Sequence, residues 1–206
     1  MCIRDSSWND AWFEAHGLFV YETFLYIVAA LLRTRRFEDL HNIFTSHYLL
    51  PSTERYGEQR FDRFDAFYAY GQALASALVP PEGRRYLSPA AELIKRQAKR
   101  ADISFRQLME ADLIVLLMAF VTPNTRWYPQ LMHYAGYSPE FPLFVRATQH
   151  KNFLKLATIT GIESSDELRE QVKKGEERLQ VGTWHDFHFH RSFWQAMNMD
   201  KLDTIK

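Results

Sequence analysis

Between Leu108 and Val121 lies the most apolar stretch of the chain, Leu-Met-Glu-Ala-Asp-Leu-Ile-Val-Leu-Leu-Met-Ala-Phe-Val. Ser104 and Gln107 stand ahead of it at the spacing of a capping box. Pro123 closes it, because the residue before a proline resists the α conformation. The stretch therefore reads as a helix with marked ends. A helix apolar on every side is stable only when other elements surround it, so the rest of the sequence has to wrap this segment.

The surrounding sequence supplies helices. From Trp8 to Arg33, apolar residues fall on two opposite stripes, Trp12, Phe19, Tyr26 and Ala30 on one and Phe13, Val20, Phe24, Ile27 and Leu31 on the other. That pattern predicts a helix covered on both sides, in the middle of the fold. A helix over about 36–46 puts Phe37, Leu40 and Phe44 on one face and ends near Pro51, after which 51–60 reads as a loop. Phe64, Phe67, Tyr68, Gly71, Leu74 and Leu78 fit a helix over 61–78, stopped at Pro80-Pro81. Ser88 as N-cap and Pro89 at the first helical position start another, with Ala91, Ile94 and Ala98 as its core stripe. Trp127-Tyr128-Pro129 and 138–142 are irregular connectors. Pro142 opens a helix that runs with breaks to Gly161, a residue suited to the left-handed position after a helix. Ser164 and Glu167 make a second capping box, for a charged, solvent-facing helix reaching about Leu179. With no repeat and no strand series, the expectation is all-α: a single irregular multi-helix bundle of about seven helices over 7–206.

The chain's 206 residues, 47% of them hydrophobic, suffice for one core, so one domain is expected. Its 25 basic and 25 acidic residues cancel, and no global field points to nucleic acid or an anionic membrane. Cys2 is the single cysteine, which rules out a disulfide framework and suits a cytoplasmic setting. The apolar run from Gly17 to Leu32 is short for a bilayer and carries Glu22, so it is read as a buried helix, with no membrane partner. Met1-Cys2-Ile3-Arg4-Asp5-Ser6 resembles a translated sequencing adaptor, so residues 1–6 are treated as an artefact and the polypeptide is expected to extend upstream.

Candidate sites are few. Arg36 and His41 have the spacing of the ribonuclease motif of HEPN domains, which are also small helical bundles. In such a metal-independent ribonuclease, His41 would act as base towards a ribose hydroxyl while Arg36 stabilises the phosphorane. On a continuous helix the two side chains point about 140° apart, so convergence needs a helix start or a second copy. His41 also shares the Phe37 stripe, and ordinary packing is the preferred reading. His185, His188 and His190 could bind zinc or iron through imidazole nitrogens. No further ligand is marked, and a terminal segment with Phe187, Phe189 and Trp194 packed inward is preferred. Lys95, Arg96, Lys99 and Arg100, with Arg84, Arg85 and Arg106 nearby, could follow a phosphate backbone. They also lie opposite Ile94 and Ala98, where a solvated face belongs. Glu22 is the acid whose position looks costly, and it is expected to pair with an arginine or tyrosine across the bundle. The sequence has no Gly-rich phosphate loop, no Gly-x-Ser-x-Gly elbow, no His-Glu-x-x-His pair and no Cys-x-x-Cys, so no cofactor is expected.

One ordered set of motifs resembles a known region. Leu87-Ser88, Glu92-Leu93-Ile94-Lys95, Ile103-Ser104-Phe105, Leu108-Met109-Glu110-Ala111-Asp112, Trp127-Tyr128-Pro129 and Phe144-Val145-Arg146-Ala147 follow Tyr21-Glu22-x-Phe24-Leu25-Tyr26. Together they resemble the helical region that follows a Toll/interleukin receptor (TIR or SEFIR type) effector domain in bacterial signalling and antiphage proteins. The resemblance implies a regulatory or sensing region, non-enzymatic itself, whose expected partners are an N-terminal effector domain and further copies of the chain in a homo-oligomer. It supplies no catalytic residue.

Overall fold

In the computed structural model the chain is described over residues 6–50, 60–69, 86, 88–99, 102–136, 140–181 and 192–206, and the side chains of 6–13, 50, 60, 180 and 181 are left aside. The order of elements is α1 (Ser6–Arg33), α2 (Phe37–Thr45), β1 (Tyr48–Leu50), β2 (Arg60–Asp62), α3 (Pro89–Gln97), α4 (Phe105–Val121), α5 (Pro142–Arg146), α6 (His150–Thr160), α7 (Ser165–Val181) and α8 (Phe193–Ala196). Single 3-10 turns lie at Phe64–Phe67, Gln130–Tyr134 and Met199–Lys201. The fold is an all-α bundle, and its only sheet among the described residues is the short antiparallel pair β1–β2.

Helix α4 is the axis. Every residue from Leu108 to Phe120 is buried, and α4 packs against α1, α6, α7 and the 130–134 turn. Both halves of its capping box form: Gln107 N–H donates to Ser104 Oγ (3.3 Å) and Ser104 N–H to Gln107 Oε1 (2.8 Å). Ser88 caps α3 through the Ala91 N–H (3.1 Å), with Pro89 in the first turn. Gly161 ends α6 in the left-handed conformation at φ 72°.

Two expectations are corrected. Among its described side chains, helix α1 buries one side, that of Leu18, Tyr21, Phe24, Leu25, Val28 and Ala29, while Phe19 (69% accessible), Val20 and Ile27 face outward. Apolar spacing all round a helix cannot select a face. The choice falls to the side carrying Tyr21, which has a polar partner in α4. The expected members Trp12 and Phe13 lie outside the described side chains. The helix proposed from Phe61 does not start there. Phe61 pairs with Leu49 in the hairpin, and Phe64–Phe67 is one 3-10 turn. The aromatic run is consumed in a cluster around Trp127, which Tyr21 stacks at 5.3 Å and 26° and which Tyr68 meets edge-on at 5.3 Å. Residues 51–59, Gly71, Leu74 and Leu78 lie outside the description.

Helix α7 shows what close packing demands. Leu168, Val172 and Gly175 face α4, and a Cβ built on Gly175 would stand 2.2 Å from Cδ1 and 2.8 Å from Cβ of Phe120. In an exposed helix, replacing glycine by alanine gains about 1 kcal/mol. Here Gly175→Ala is expected to cost about 1–3 kcal/mol through overpacking. Denaturant unfolding checks the sign; a stabilised variant would mean that Phe120 can move aside freely.

Candidate functional site

The C-terminus of α1 ends in a tight reversal. Arg36 N–H donates to the Leu31 carbonyl (2.9 Å) and Arg35 N–H to that of Leu32 (3.2 Å), a Schellman arrangement with Arg35 at the left-handed position, φ 58°. Glycine is usual there, and a residue with a Cβ costs about 1 kcal/mol more. The reversal brings Arg33 and Arg35 to the mouth of a cavity of about 240 Å³.

Five elements build that cavity. Ala29, Leu32 and Phe37 of α1 and α2 form its apolar side with Pro142 and Leu143 of α5. Gln107 and Glu110 come from the first turns of α4, Arg146 from the end of α5, and Asn152 and Lys155 from α6. Among the described residues four cations thus face one carboxylate. Arg33 donates to the Asp102 carbonyl, and Lys155 to Asn152 Oδ1. Neither the Arg35 nor the Arg146 guanidinium forms a hydrogen bond or close ion pair among the described residues. Glu110 is buried and accepts the Leu143 N–H at 2.7 Å. Burial raises its pKa, against the pull of that bond and of Arg146 and Arg106. Among the described residues that line the cavity there is no serine, threonine, cysteine or histidine, and the cations among them suit binding an anion. A second hollow of about 950 Å³ lies between α7 and 119–128. Two of its cations are already engaged, Arg178 by the Phe120 carbonyl (2.9 Å) and Lys174 by Glu170 (2.6 Å).

The other buried acid, Asp112, lines neither cavity. Its Oδ1 accepts from Tyr21 Oη (3.1 Å) and Trp127 Nε1 (2.7 Å), and its Oδ2 from Leu131 N–H (2.8 Å). Burial pushes its pKa up to about 7 although all three donors favour the anion. The Tyr21 phenol is held well above its usual value, by burial first and the nearby carboxylate second, so it keeps its proton and donates.

The residues singled out in the sequence go elsewhere. The Arg36 guanidinium pairs with Asp39. His41 Nδ1 donates to the Ile159 carbonyl (3.1 Å), satisfying an orphan acceptor at the end of α6, and its Cε1 would stand 3.2 Å from a Cβ on Gly161. The two side chains are held by different partners. Arg96 donates to Glu92 Oε1 (2.9 Å) and to Tyr86 Oη (2.5 Å), and Lys95 Nζ sits 4.4 Å from the Tyr134 ring centre. Lys99 is exposed. Arg84, Arg85, Arg100, His185, His188 and His190 lie outside the described residues, as do Cys2, Phe187 and Phe189. Among the described residues no group of three or more His, Cys, Asp or Glu could hold a metal. Glu22 is half-buried, with a pKa raised by desolvation. Among the described residues its partner is, in place of the arginine or tyrosine expected, the Gln97 amide, which donates at 3.0 and 3.3 Å once its oxygen and nitrogen are exchanged. Residues 14–33 form one helix long and apolar enough to cross a membrane by length and composition.

The costly acids that sequence reasoning missed are Glu110 and Asp112. Their signal was present, since both sit inside the run that has to be buried. Compared with known proteins, the chain matches no family model, no curated protein and no solved structure.

Asp112 makes stability depend on pH. An unfolded aspartate titrates near ~3.9, so between about 4 and about 7 the folded chain binds the extra proton. The stability this group contributes is full below that window and is lost as pH rises through it, by at most about 1.4 kcal/mol per pH unit. Asp112→Asn should remove that share of the slope. It should also cost about 1–3 kcal/mol in acid, because its amide turns N–H groups towards donors. Unfolding curves across this range test both; an unaltered slope would assign the titration elsewhere.

Proposed function

We propose that this chain is a non-catalytic sensing module that binds a small anionic ligand in the cation-lined cavity and passes the binding event to an adjoining effector. The observation that carries the reading is the meeting of Arg33, Arg35, Arg146 and Lys155 around one buried carboxylate, at the junction of α1, α2, α4, α5 and α6. A ligand there touches α1, α2, α4, α5 and α6 at once, beside the direct packing of α2 on α6. It can therefore change how α1–α2 is held against α5–α6, the differential contact that a sensor needs. The resemblance to regions following TIR or SEFIR effectors supports an upstream effector as the partner.

Binding to the folded state raises stability by RT ln(1 + [L]/Kd), about 2.7 kcal/mol at a hundredfold excess over Kd. A panel of small dianions is expected to raise the Tm, with sodium chloride at matched ionic strength as the control. Amide exchange should slow around 31–37 and 142–155. If no anion moves either readout in a folded protein, the sensing reading fails.

The ribonuclease alternative makes a separate prediction. Arg36 and His41 are already committed to Asp39 and Ile159, so the purified chain with chelator present should leave labelled RNA intact. Cutting lost in both Arg36→Ala and His41→Ala would replace the sensing reading with the nuclease.

A further inference from the structure

We infer that the ligand of this cavity is a phosphate monoester of a small hydroxylated carbon skeleton, about the size of a pentose phosphate, and that Arg35 is the residue that selects it. The inference rests on the sensing reading above. Its first support is charge. Among the described lining residues Arg33, Arg35, Arg146 and Lys155 face one acid, Glu110, so a monocarboxylate would leave these groups strongly positive. A phosphate monoester carries a charge of roughly −1.5 to −2 at neutral pH and presents three acceptor oxygens. Three of the four cations are guanidinium groups, whose planar forks match such an oxyanion with paired hydrogen bonds.

The rest of the wall defines the ester. Gln107 keeps its Nε2 as a donor and Glu110 its Oε2 as an acceptor for hydroxyl groups, beside the apolar surface of Leu32, Phe37 and Leu143. A cavity of about 240 Å³ falls below the range of about 300–1,000 Å³ typical of drug-sized ligands, so the skeleton is short.

Arg35 supplies the independent observation. Its backbone occupies the left-handed position at φ 58°, where glycine would be easier. Its side chain lines the cavity and takes no hydrogen bond or close ion pair among the described residues. An unfavourable backbone kept for a charge left open towards a cavity is the arrangement of a ligand-binding residue.

Calorimetry and thermal unfolding with ribose-5-phosphate, ribose and citrate test the assignment on the full chain. Ribose-5-phosphate should bind and raise the Tm, ribose should do neither, and citrate should bind at least tenfold more weakly. Arg35→Gly relieves the backbone, so without ligand it should melt at a higher temperature than the parent, yet bind ribose-5-phosphate at least tenfold more weakly. Arg146→Gln, a change at an exposed position, should also weaken binding tenfold or more. Citrate binding as tightly as the ester, or Arg35→Gly binding like the parent, overturns the phosphate assignment and leaves anion sensing intact. Absence of binding by every anion in the folded parent overturns both.

Discussion

A carboxylate with no access to water organises this bundle. Asp112 sits inside the central helix, takes three donors from three other segments, and so fixes α1 through Tyr21, the 122–129 connector through Trp127 and the 130–134 turn through Leu131. Apolar packing is non-directional, and a helix as uniformly hydrophobic as α4 would accept neighbours in several rotations. One buried acceptor with three partners removes that freedom, since any other docking leaves a charge or a donor unsatisfied. The aromatic cluster follows from the same bond. Once Trp127 is held by its indole N–H, Tyr21, Phe24, Phe64 and Tyr68 pack around its ring.

What the sequence made legible is what local chemistry determines. Ser104 with Gln107, Ser88 with Pro89, and Gly161 mark ends that depend on a few neighbouring atoms, and the structure closes them as their residue types require. The face of α1 was not legible, because Phe19, Val20 and Ile27 are as apolar as the residues that became buried. Only the position of Tyr21 opposite Asp112 separates the sides, and that is a contact between residues 91 positions apart. Periodicity also misled at Phe61–Tyr68, where aromatic spacing fits a helix but the cross-strand pairing of Leu49 with Phe61 and the pull of Trp127 prevail.

The candidate cavity was hidden for a different reason. Arg33 and Arg35 stand beside Arg36 in the sequence, and nothing in that string indicates which cations find partners. The fold sorts them: Arg36 is neutralised one turn away by Asp39, while the Schellman reversal turns Arg35 towards Arg146 and Lys155, residues more than a hundred positions distant. Charge that balances over the whole chain is thus unbalanced locally. The basic helix α3 shows the reverse. Its Lys95 and Arg96 look available in the sequence, but Glu92, Tyr86 and the Tyr134 ring engage both.

The two buried acids of α4 explain why one helix serves both the frame and the cavity. They are two positions apart, about 200° around the helix, so they necessarily face opposite sides. Asp112 is sealed into the core with three hydrogen bonds, and its loss would loosen the bundle as a whole. Glu110 points to the rim, accepts the Leu143 N–H that opens α5, and lies within the electrostatic reach of Arg146 and Arg106. Its burial cost is met only in part by that one hydrogen bond, and the cations beside it stabilise the charged form. An anion bound among those cations would draw on the same positive potential and weaken Glu110's hold on its proton equilibrium, making the carboxyl easier to protonate. Under the proposed anion binding, occupancy of the cavity and the state of a carboxyl on the central helix would be linked, and through the Leu143 N–H the linkage would reach the start of α5. A bound anion at the surface of the bundle would thereby have a physical route to its axis.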